Sequence, residues 1–107
     1  MPNVFVNALK SDVPTTAFPL YTGPAEVKSV CHSLFMANKI GAEVKVSVQL
    51  VDTSTGESCM VAFEVPVPIN STYYLDKPIN IEETDILNVW ADTATSLDIT
   101  ASILQVT

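Results

Sequence analysis

A chain of 107 residues suits one domain, and twelve acids against five lysines, with no arginine at all, leave it a formal charge of −7. Binding a phosphate backbone needs clustered cations, and arginine is the residue that grips phosphate bidentately, so nucleic acid is not an expected partner. The same charge argues against docking on anionic lipid, because Lys10, Lys28, Lys39, Lys45 and Lys77 are scattered.

Residues 1–24 alternate poorly and are broken by Pro2, Pro14, Pro19 and Pro24, yet they carry Phe5, Leu9, Phe18, Leu20 and Tyr21. Proline withholds a ladder donor and favours extended backbone. Two readings stay open for this segment. It is either an edge strand with loops packed on the chain's own core, or an extended arm that buries those five residues on a neighbouring subunit by strand addition. The longest uncharged stretch, 13–25, is 13 residues with three prolines, too short and too broken to span a membrane. The start "MPNVFVNALK" lacks the pattern of a secretory signal, so a cytoplasmic origin is expected, and with it free thiols at Cys31 and Cys59.

From residue 25 onward a period of two dominates, as expected where successive side chains of a strand point to opposite faces. "VKSVCHSLFMAN" (27–38) is rich in strand formers, and "KIGA" follows as a turn. In 43–51, Val44, Val46, Val48 and Leu50 share a face; in 58–67, Cys59, Val61, Phe63, Val65 and Val67 do. The polar link "DTSTGE" between them, with Gly56 suited to positive φ, predicts a β-hairpin over 43–67. "STYYLD" (71–76) reads as a short aromatic strand. Leu87, Val89 and Ala91 form the apolar face of 85–92, and Leu97, Ile99, Ala101 and Ile103 that of 96–106. The pattern predicts an all-β, antiparallel sandwich of about seven or eight strands, jelly-roll or immunoglobulin-like, over 25–107, preceded by the segment 1–24.

Chemistry is sparse. Asp76, Glu82, Glu83 and Asp85 crowd into "DKPINIEETDIL", but that stretch has no glycine and ends on Leu where a calcium-binding EF-hand loop needs Glu. Pro78 followed by "EETD" reads instead as strand break and turn. Cys31 and His32 are adjacent, so on a strand they point to opposite faces and cannot pair as nucleophile and base. Cys59, on the face shared with Val61 and Phe63, reads as a small buried apolar residue. No catalytic residue, metal set or cofactor site is expected. Trp90 and Tyr74 are candidates for stacking on a sugar, although strand aromatics commonly fill cores and interfaces. Val30, Val51, Met60 and Val106 fall opposite the main apolar set of their strands, which points to cover by another layer or subunit.

The strings "LKSDVPTTAFPLYTGP", "VKSVCHSLFMAN" and "PVPINSTYYLDKPINIEETDILNVWADTATSLDITASILQV" resemble a group of small virion proteins of tailed bacteriophages, those of cyanobacterial and marine phages in particular. That group has a "TVYTGPA"-like opening, a "VPVPA-ST-x-x-LDKPINLE-x-GD-x-L-x-V" block and an "ASILE"-like ending. The resemblance spans residues 9–107 and departs at Thr84, where the group often has glycine. It implies a β-sandwich without enzymatic activity or cofactors. The expected role is a capsid cement or decoration protein that binds the major capsid protein lattice, as a dimer or trimer. A neck, tail, baseplate or fibre component is the runner-up, and a carbohydrate-binding module is the alternative of another class.

Overall fold

The structure is a computed structural model that describes residues 3–106; Met1, Pro2 and Thr107, and with them any role of Pro2, lie outside the described residues. Nine strands follow one another: β1 (Val4–Lys10), β2 (Phe18–Thr22), β3 (Lys28–Asn38), β4 (Val44–Asp52), β5 (Glu57–Val67), β6 (Thr72–Leu75), β7 (Ile79–Ile81), β8 (Ile86–Ala91) and β9 (Leu97–Val106). They build two antiparallel sheets, one ordered β1-β9-β3-β6 with β7 also on β3, the other β2-β8-β4-β5. The chain thus crosses between layers at every connection except β4–β5 and β6–β7, and its second half folds back along its first. That order is a jelly roll, which decides between the two sandwich topologies expected from the sequence. The ninth strand arises because Asp76–Pro78 splits one strand into two. β6 pairs with Leu34–Ala37 and β7 with Ser29–Cys31, and Pro78 has no N–H to keep the ladder continuous.

Alternation fills the space between the sheets. Leu87, Val89 and Ala91 of β8 and Leu97, Ile99, Ala101 and Ile103 of β9 are buried, as are Val44, Val46 and Val48 of β4 and Leu34 and Met36 of β3. Residues 4–10 and 18–22 are edge strands of this sandwich, β1 on β9 and β2 on β8, so the backbone ladder of the N-terminal segment is made within the chain.

The hairpin over 43–67 forms as expected, and Gly56 takes a φ of 79° at its tip. Its second strand departs from simple alternation. The register slips between Val46 and Val48, and Glu64 adopts a φ of 49°; its N–H donates to the buried Ser47 Oγ at 3.0 Å. An extra residue in a strand inverts every face beyond it. Ala62 is therefore buried and Phe63, expected in the core, is 64% exposed, while Val67 keeps its expected inward place. A second slip between Val48 and Gln49 restores the parity, and Cys59, paired with Leu50 and also expected to be buried, is exposed near the hairpin tip.

Cys31 points inward from β3, where burial pushes its thiol up to about 11. Both cysteines are free, in different sheets. At pH 8 the folded protein should react with one equivalent of a thiol reagent and the unfolded chain with two; two fast equivalents in the native state would contradict the burial of Cys31.

The loops gather at the two ends. At one end Asn38, only 5% exposed, ties two of them together, the β3–β4 and β5–β6 loops. Its Nδ2 donates to Ala42 O, Val67 O and Pro68 O at 2.8, 3.0 and 3.2 Å, and its Oδ1 accepts from Ile40 N at 2.9 Å. Asn38→Ala strands these partners, and a loss of about 2 kcal/mol is expected in denaturant titration. Beside it Lys39 pairs with Asp12 and with Asp98. The Asp12 N–H and then Lys39 hold Asp98 below the usual carboxylate range.

Candidate functional site

Register alone places a patch on the outer face of the β1-β9-β3-β6 sheet. Directly paired residues of an antiparallel ladder share a face. Leu9 pairs with Thr100, Thr100 with Phe35 and Phe35 with Tyr74, so these four make one row across the whole sheet. A second row runs Phe5, Leu104, Val30, Asn80. Between them stand Asn7, Ser102 and Ser33. At strand spacings of about 4.8 Å and rises of about 3.4 Å per residue, the patch measures about 14 Å in each direction.

The patch is both greasy and without fixed charge. Phe5 is 76% exposed, Leu9 and Tyr74 64%, and Phe35 36%. Phe35 and Tyr74 meet edge-on with centroids 5.4 Å apart, an arrangement that fixes both rings. Phe5 stacks at 6.0 Å on His32, the residue where β3 slips register against β9. No Asp, Glu or Lys lies within 4–9, 29–37 or 99–106; Lys10, Lys28 and Asp98 flank these stretches. In a chain of charge −7 this is uneven: acids crowd the loops and leave this face bare. Contiguous exposed apolar surface of this kind marks interaction sites.

Of the five residues expected at an interface, Phe5 and Leu9 therefore lie on this face, and the other three do not. The register of β2 slips at Leu20 and turns it inward, where it is 9% exposed. Phe18 is half-buried under the Lys10 ammonium, 4.9 Å from its ring centre. The Tyr21 hydroxyl hydrogen-bonds Ser29 Oγ at 2.7 Å and accepts from Gln105 Nε2 at 2.9 Å, which joins the two sheets. Phe35 and Tyr74 complete the patch. The slip at His32 hid the parity of Phe35, and Tyr74 stood out in the sequence only as an aromatic able to stack on a sugar.

The other candidate chemistries are dispersed. Cys31 and His32 do lie on opposite sides of β3. Trp90 alternates with the buried Val89 and Ala91 and lies on the outer face of the second sheet, paired with Ser47. Tyr74 is on the opposite outer face of the sandwich, so the two cannot stack on one sugar. A groove of about 640 Å³ between β3 and β7, lined by Glu26, Lys28, Val30, Asn80, Glu83 and Val106 among others, brings no Cys, His, Ser–His or Thr–His pairing together.

The acids of 82–85 do turn the chain, and a glycine far away in sequence makes their turn possible. Glu82 N donates to Asp85 Oδ2 at 3.0 Å and Asp85 N to Glu82 O at 3.0 Å. Gly23 N donates to Asp85 O at 2.8 Å, and Thr84 N returns a bond to Gly23 O at 2.9 Å. A Cβ on Gly23 would stand 2.0 Å from Glu82 O. Thr84 has a φ of 66°, the left-handed region that favours glycine. No protein-family model matches the chain, and no curated protein matches it.

Proposed function

We propose that this chain is a non-enzymatic structural protein of a tailed-phage virion, of the cement or decoration type. It lays the outer face of its β1-β9-β3-β6 sheet on the shell built by the major capsid protein. The observation that carries this reading is the uncharged patch of Phe5, Leu9, Phe35 and Tyr74; the strings at 9–24, 27–38 and 66–106, which resemble small virion proteins, supply the partner. Burying such a face strips no charge of its water, so association is spared the largest desolvation cost. Exposed Phe and Tyr held in place by neighbours lose little freedom on docking and make effective anchors. The acidic loops, kept off the contact, hold unassembled copies in solution.

The test is a count. Virions purified from the phage encoding the chain are separated into heads and tails, and the chain is quantified against the shell subunit. A fixed whole-number proportion to shell subunits, retained on tail-free heads, is the expected result. A few copies that leave with tails or necks would place it there instead. Absence from particles, together with glycan binding lost in Trp90→Ala, would replace the reading with a carbohydrate-binding one.

A further inference from the structure

We infer that the end of the sandwich opposite Asn38 is a calcium-binding site made by Asp52, Glu82 and Asp85, a role independent of any docking on a shell. Spacing within 76–87 offers no such set, but the fold adds Asp52, the last residue of β4, to Glu82 and Asp85 of the β7–β8 loop. One carboxylate oxygen from each lies within 4.8 Å of the other two. Ligands held about 2.4 Å from a common Ca²⁺ are at most about 4.8 Å apart, so these oxygens fit one coordination sphere.

A cluster of acids alone would mean little. What marks this one is Asp85, which is only 2% exposed. Its Oδ2 is taken by Glu82 N, while its Oδ1 is buried with no hydrogen-bond partner. Buried polar atoms are normally satisfied, and a buried anionic oxygen without a donor calls for a cation. No lysine supplies it: among the described residues the ion pairs are those of Lys39, at the other end. Asp52 is prepared in the complementary way. Its Oδ1 accepts from Ser54 N, Ser54 Oγ and Thr55 N at 3.0, 2.7 and 3.3 Å, which orients the carboxylate at the hairpin tip. The Thr53 and Thr84 hydroxyls hydrogen-bond across the same gap and bring the two loops together. The donors are all oxygen, the set that a hard cation takes, and water fills the rest of a six- to eight-fold shell. The ion would neutralise three crowded carboxylates and clamp the β4–β5 tip to the β7–β8 loop.

The test is thermal unfolding and calorimetric titration of the full chain, stripped with chelator, against calcium chloride at matched ionic strength. One Ca²⁺ per chain is expected, with Tm raised by at least about 5 °C at 100-fold excess over Kd. The double variant D52N/E82Q removes two ligands from exposed or half-buried positions and leaves Asp85 in its turn; it should fold and show no calcium shift. An unchanged Tm in the native chain at calcium chloride of about 10 mM, above the Kd of even weak calcium sites, or an equal shift in the double variant, would overturn the site.

Discussion

Gly23→Ala is expected to cost about 3 kcal/mol, at the upper end of what overpacking does, and to lower Tm by at least about 12 °C. The reason is local. The added Cβ would meet Glu82 O at 2.0 Å, and a backbone oxygen cannot swing away as a side chain can. Either the β2–β3 turn or the β7–β8 loop has to move. Movement breaks the two bonds that Gly23 exchanges with Thr84 and Asp85, and it uncovers the carboxylate of Asp85. Urea titration with circular dichroism measures the effect. Gly41→Ala is the control, since a Cβ there meets nothing within 4 Å; it should be neutral to within about 0.5 kcal/mol. Equal midpoints for the two variants would show that the approach of the two loops is not the constraint described.

The second large effect concerns the bare face. Phe5→Asp with Tyr74→Asp places two charges in the uncharged patch, at positions 76% and 64% exposed. Neither ring supports the core, so the loss of stability should be limited to that of one aromatic pair per site, about 0.5–1.5 kcal/mol, and the variant should stay folded. Binding to tail-free heads should fall at least about 100-fold, because two anchors at about 1.4 kcal/mol each make that factor. Co-sedimentation with heads stripped of the native protein reads the loss. Phe63→Asp, on the outer face of the other sheet and 64% exposed, should bind as the native chain does. Removing residues 1–20 would be a poor substitute for these variants, because it deletes β1 and most of β2 from the two sheets.

Much of the fold was legible because unbroken alternation translates directly into facing. The inward sets of β8 and β9, and Val44, Val46 and Val48 of β4, stand where the period of two puts them. Alternation failed wherever one extra residue entered a strand. The slips at Leu20, at His32 and opposite Ser47 invert parity locally, and they account for the inward Leu20, the outward Phe35 and the exposed Phe63. Nothing in a single strand's sequence announces such a bulge, since it depends on the partner's register. Proline gave a half-correct signal. Pro78 does interrupt a strand, but the chain resumes pairing with the same neighbour, so one strand became two. The acids of 76–87 posed the opposite difficulty: their spacing describes a turn well, whereas Asp52 joins them only because the jelly roll brings the β4–β5 tip beside the β7–β8 loop. Phe5 and Leu9 were recognisable as large apolar residues in a poor core pattern. Their grouping with Phe35 and Tyr74 required the register of four strands.

Density for the assembled particle at side-chain resolution tests the docking of this face most directly. If the reading holds, the chain sits on the shell with Phe5, Leu9, Phe35 and Tyr74 buried against capsid subunits and the Asp52–Glu82–Asp85 end in solvent. A chain attached to the shell through the β2-β8-β4-β5 sheet, with those four side chains facing water, would contradict it.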